Sequence, residues 1–111
     1  MAPKVGGPTR IGALGRFSDP AMLVLASLSA GTKHGYAIIL DVAQHSGERL
    51  GPGTLYGALS RLEEMGLIAP LAVKERGRRP YRITEAGRKA LKERLSEFAR
   101  YQSILARLST R

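Results

Sequence analysis

From Ser18 onward the chain alternates apolar stretches with glycine stops, and that rhythm predicts the elements. Ser18-Asp19-Pro20 reads as a helix start, a capping side chain followed by Pro in the first turn. Met22, Leu23, Leu25, Ala26 and Leu28 then make a strongly apolar first helix that Gly31 stops. Thr32 is a candidate cap for a second helix, in which Tyr36, Ile39, Leu40 and Ala43 fall at helical spacing and Gly47 marks the end. Glu48-Arg49-Leu50 is too short for a helix and fits a small strand. Gly51-Pro52 opens a third helix whose stripe is Leu55, Leu59 and Leu62, and Gly66 ends it. Leu67 to Val73 reads as a strand, with Pro70 confining it to an edge or a bulge. Glu75-Arg76-Gly77-Arg78-Arg79-Pro80 is a charged turn, and Tyr81 to Thr84 alternates as the return strand. Thr84 caps a long last helix with Glu85 in its first turn.

This order predicts a mainly α fold with a small β-hairpin. It matches the winged version of a helix-turn-helix, followed by a long C-terminal helix expected to dimerise. The gap between helices 2 and 3 exceeds the usual three- or four-residue turn, and a strand at 48–50 pairing with the hairpin would fill it. Residues 1–17 hold four Gly and two Pro without periodicity and read as a flexible basic arm. The expected division is therefore an arm over 1–17, a DNA-binding domain over 18–84 and a dimerisation helix over 85–111.

Charge sharpens the picture. The net formal charge is +9, which favours a polyanionic partner and says nothing of fold. It is unevenly spread: +3 over residues 1–17, −2 over 18–73, +4 over 74–82 and +4 over 83–111. A single basic run is normally a solvated face, but here one cluster sits on a short loop marked by Gly and Pro. The absence of cysteine excludes disulfides, thiolate metal sites and thiol nucleophiles. No apolar run suffices to span a bilayer, and the start of the chain lacks the apolar segment of a signal peptide. The expectation is a cytoplasmic, nucleoid-associated protein with no membrane partner.

Three stretches carry a resemblance: LVLASLSAGTKHGYAIILDVAQHSG, GPGTLYGALSRLEEMGLI and RGRRPYRITEAGRKAL. Together, over about residues 23–91, the chain resembles the PadR family of transcriptional regulators. The most specific pieces are GY at 35–36, PGTLYGALSRLEEMGLI at 52–68 and YRITEAG at 81–87. The resemblance implies a homodimeric winged-helix DNA-binding protein, usually a repressor and often released by a small aromatic or drug-like ligand. The tail after Thr84 is similar to that of short-tailed members with one C-terminal helix. Gly51 stands where the family often has Ser or Thr, which weakens the third helix's cap by a few tenths of a kcal/mol. Gly57 stands where the family frequently has Pro, and the RGRRP wing is slightly short.

On DNA, the third helix is the candidate recognition helix. Its first residues are small and include no Arg, Lys, Asn or Gln for bidentate base reading. Close backbone approach is the alternative. Gly53 leaves the helix end open to a phosphate, Thr54 and Tyr56 donate to phosphates, and Ala58 meets a thymine methyl. Arg61 is a candidate base or phosphate contact, or else a surface partner of Glu64. Tyr56 and Tyr36 each have a packing alternative. In the wing, Lys74, Arg76, Arg78 and Arg79 surround Gly77 and suit a narrow minor groove. Lys33 and His34 are further phosphate candidates.

The last helix carries Leu91, Leu95, Phe98, Tyr101, Leu105 and Leu108, with Ile104 beside them. This stripe outreaches what one small domain can cover and predicts a two-fold dimer. An aromatic effector would then sit at the dimer interface near the first helix, Phe98 and Tyr101. Asp41 and His45 at i, i+4 make two ligands without a third, so no metal is expected. No cofactor loop or catalytic triad is suggested, and an enzyme is not expected. The competing class is a winged-helix module for protein or RNA, with only non-specific nucleic-acid affinity.

Overall fold

The computed structural model describes residues 19–72 and 76–111. The arm 1–17 and Lys74 lie outside the described residues. Asp19 caps the first helix, α1 (Pro20–Ser29), by accepting from the Ala21 N–H at 3.0 Å. A two-residue strand, β1 (Lys33–His34), leads straight into α2 (Gly35–Ser46). Gly47, left-handed at φ 76°, closes α2. Then come α3 (Pro52–Glu64), β2 (Ile68–Pro70), β3 (Pro80–Ile83) and α4 (Glu85–Ser109).

Two expectations need correction. The third strand is not at Glu48-Arg49-Leu50. It is β1, which pairs antiparallel with β3 through Lys33↔Tyr81 and His34↔Pro80, giving the sheet order β1-β3-β2. Residues 48–50 instead form a loop that drops Leu50 into the core. Thr32 does not cap α2 either. Extending the chain through 33–34 to pair with β3 shifts the helix start, and His34 Nδ1 accepts from the Ala37 N–H at 3.3 Å.

The core gathers Val24, Leu25 and Leu28 of α1, Ile38 and Val42 of α2, and Leu55, Ala58, Leu59 and Leu62 of α3, floored by Ile68 and Ile83 of the hairpin. The α3 stripe is the one the spacing predicts, widened by Ala58. The α2 face is turned. Gly35, Ile38 and Val42 are buried, whereas Tyr36 and Leu40 are exposed. Because α2 is apolar around most of its circumference, spacing alone admits either face.

α4 is anchored only at its start. Thr84 Oγ1 accepts from the Gly87 N–H at 3.0 Å and donates to the Gly66 carbonyl at 2.7 Å, so one hydroxyl caps α4 and ties it to the end of α3. At Gly87 the helix meets the hairpin directly: a Cβ there would stand 2.1 Å from the Leu67 carbonyl oxygen. Leu91 packs against the chain's own core. Beyond Leu91 every α4 residue is exposed, and none of its apolar stripe from Leu95 to Leu108 packs on the core. No described helix is long and apolar enough to cross a membrane.

Candidate nucleic-acid interface

The candidate surface is built on α3. Pro52 has no N–H, and Gly51 supplies no side chain to cap the first turn. The N–H groups of Gly53 and Thr54 therefore lack intrahelical partners. Gly53, Thr54, Tyr56, Gly57 and Arg61 all lie on the exposed side, opposite Leu55, Leu59 and Leu62. A Cβ at Gly53 or Gly57 would meet nothing within 4 Å, so packing within the chain requires neither glycine. Arg61 forms no ion pair with Glu64 or any other carboxylate among the described residues. Ala58 departs from the expectation. At 1% exposure it belongs to the core, and no thymine methyl reaches it.

The wing lies beside this helix. Arg76 (φ 53°) and Gly77 (φ 76°) are both left-handed, the backbone a tight reversal needs to follow strand twist. Gly adopts it freely, whereas Arg76 pays about 1 kcal/mol for it. Arg76, Arg78 and Arg79 are exposed and hold no ion pair among the described residues. The Arg78 guanidinium lies 5.6 Å from the Tyr36 ring centroid, within cation–π range.

A cleft of about 290 Å³ opens between the wing and the helices. His34 and Tyr36 line it from the start of α2, Tyr56 from α3, Gly77, Arg78 and Arg79 from the wing, and Tyr81 from β3. Tyr56 reaches it by crossing Gly35, where a Cβ would stand 3.1 Å from the Tyr56 hydroxyl. The GY pair at 35–36 thus clears room for one tyrosine and supplies another. Tyr36 and Tyr56 are each about half exposed, at 54% and 55%, so neither is a core aromatic. Burial pushes the Tyr81 phenol above its ordinary value, Glu63 and Tyr56 push the same way, and Arg79 opposes them. The phenol therefore stays protonated and able to donate. Sequence reasoning missed Tyr81 as part of this group. The signal was its place in the alternating return strand, two residues beyond Arg79 of the wing.

Lys33 is turned inward, against expectation. Its ammonium donates to the Ser27 and Gly31 carbonyls and lies 3.8 Å from the Asp41 carboxylate. Ser27, buried, donates to the same carboxylate at 2.6 Å. That hydrogen bond holds the Asp41 carboxyl below its ordinary range, helped by Lys33 and His45, while burial opposes the shift. His45 Nδ1 stands 3.1 Å from Asp41, and the described residues contain no cluster of three metal-ligating side chains. Asp41 thus joins α1, β1 and α2.

The three helices, the three-stranded sheet and the basic hairpin define a winged helix-turn-helix protein. A family model for the PadR-like transcriptional regulators matches residues 24–93, and the chain belongs to that family, whose members are regulators and not enzymes. A 37.1 kDa protein in transposon Tn4556 of Streptomyces fradiae is 51% identical over 86 residues, covering 77% of this chain and 24% of that protein. Transcriptional regulator Rv3488 of Mycobacterium tuberculosis is 46% identical over 72 residues, covering 60% of this chain and 66% of the relative. The chain thus spans about a quarter and just under two thirds of these relatives' lengths. Among solved structures, a PadR family transcription regulator from Clostridium difficile superposes with a TM-score of 0.72 at 27% identity, covering 80% of this chain and 96% of that one. A PadR family regulator from Eggerthella lenta gives 0.71 at 30% identity, covering 90% and 84%.

Proposed function

We propose that the protein is a repressor that binds a palindromic duplex as a homodimer, acts in the cytoplasm on nucleoid DNA, and responds to a small aromatic ligand. In this reading residues 18–84 form the DNA-binding unit and 85–111 the dimerisation helix, with the arm 1–17 preceding them. The observation that carries it is the grouping of three wing arginines, without an ion pair among the described residues, with the bare, uncapped face of α3. A helix whose first turns lack long side chains meets DNA through its backbone, Thr54 and Tyr56. The wing supplies the charge for the minor groove through Arg76 and Arg79. Arg61 reaches bases or phosphates one turn further along. A phosphate contact from Lys33 would break up the Asp41 network, so that residue is assigned to structure. His34 Nδ1 is spent on the cap, which leaves Nε2 for DNA.

The dimer rests on α4, with Leu95, Phe98, Tyr101, Leu105 and Leu108 as its contact residues and Leu91 serving its own chain. The ligand would lie between α1 of one chain and Phe98 and Tyr101 of the pair. Selection of bound duplexes from a random pool tests the function. Enrichment of an inverted repeat is expected. A pool that stays random would instead favour a protein- or RNA-binding module.

A further inference from the structure

Arg78 is not a free finger of the wing. Its guanidinium lies over the Tyr36 ring, 5.6 Å from the centroid, so a cation–π contact links the wing to α2. The cleft behind that contact is lined by donors: Arg78 and Arg79 bring cations, and Tyr36 and Tyr56 bring phenols. Among the described residues no carboxylate lines it. Neither the Tyr36 nor the Tyr56 hydroxyl is spent on a hydrogen bond among the described residues. A pocket lined by guanidinium and hydroxyl donors suits a tetrahedral oxyanion. It opens where the wing, α2 and α3 converge, beside the exposed first turns of α3.

We propose that this cleft seats a single backbone phosphate of duplex DNA, gripped jointly by Arg78 and Arg79 from the wing and by the Tyr36 and Tyr56 hydroxyls from α2 and α3. The proposal rests on the DNA-binding reading above and deepens it. One shared phosphate fixes the wing relative to the recognition helix, so the two elements do not bind independently. Tyr36 acts twice, through its ring on Arg78 and through its hydroxyl on the phosphate.

The test is a double-mutant cycle on the full chain with Arg78→Ala and Tyr36→Leu. It is read on a scrambled duplex as well as the selected one, because phosphate contacts carry no sequence information. Each single variant is expected to weaken both duplexes alike, by about tenfold. The double variant should be only a few-fold worse than either single, and the slope of log K against log salt should fall by about one. Tyr36→Phe keeps the ring under Arg78, so it should lose affinity without changing the slope. All four positions are exposed, and unchanged thermal unfolding confirms that the variants fold.

Losses that multiply to about a hundredfold mean separate contacts and overturn the shared seat. A loss confined to the selected duplex means base reading and overturns it too. A third contrary result is that inorganic phosphate stabilises the wild type and Arg78→Ala abolishes that while leaving duplex affinity intact. The cleft then belongs to a free anion. If the wild type binds selected and scrambled duplexes equally, the regulator reading falls, while coupling on the scrambled duplex still supports the seat.

Discussion

Gly53 and Gly57 stand one helical turn apart on the exposed side of α3, where a methyl group would touch nothing in the chain. Within the helix each costs about 0.8–1.0 kcal/mol relative to alanine. Their value lies outside the chain, in letting a partner approach the backbone. Gly53→Ala with Gly57→Ala should therefore raise stability by about 1–2 kcal/mol in thermal or urea unfolding while weakening duplex binding. Unimpaired binding would remove the close-approach argument. Asp41 gives a prediction of the opposite kind, confined to stability. Its folded pKa is lowered, chiefly by the Ser27 hydroxyl, so its contribution is complete above the ordinary carboxylate range and is lost as pH falls through the folded value. Asp41→Asn should be less stable than wild type near neutrality and show a flatter acid limb in melts between about pH 2 and 7. At this scale the sequence was only partly legible. Tyr56 could be placed on the outer face because it neighbours Leu55. The inward turn of Lys33 could not be read, because its partners, Ser27 and Asp41, lie on two different helices and meet only through the fold.

Elements were easier to read wherever glycine, proline and a capping side chain agreed. Gly51-Pro52 and the Leu55–Leu59–Leu62 stripe set α3, and Thr84 set the start of α4. β1 escaped because a two-residue strand has no period, and its existence depends on Tyr81 and Pro80 being opposite. The α2 face escaped because Ile38, Ile39, Leu40 and Val42 spread around most of the helix, and Asp41 on its polar side turns to Ser27 rather than to water. α4 shows the strongest mismatch between element and fold. It runs for 25 residues, about 37 Å, yet only its first three turns, as far as the Arg94–Asp19 pair, touch the rest of the chain. Leu95, Phe98, Tyr101, Leu105 and Leu108 are each roughly half exposed. Such a stripe in water favours association. Leu95→Asp and Phe98→Asp each place a charge in that seam, so sedimentation should show monomers. An intact dimer in both would assign the interface elsewhere. Neither residue contacts the core, so the melting temperature of the monomer should change little.

For the whole molecule, the same positive charge that predicts a polyanionic partner also predicts how binding responds to salt. Six to ten phosphate contacts imply a loss of roughly 10³-fold or more in affinity between about 50 and 200 mM salt. What the account claims beyond charge is geometry: two chains joined through α4 present two α3–wing surfaces to one face of a duplex. Half-sites read this way must lie about one helical turn apart, near 10–10.5 base pairs. The direct measurement is binding to a selected palindrome and to the same palindrome with about five base pairs inserted at its centre, which turns the second half-site to the far side of the duplex. The account predicts that the insertion reduces affinity to the level of a single half-site and that inserting a full turn restores part of it. Equal affinity for all three duplexes would contradict a symmetric pair reading both halves at once.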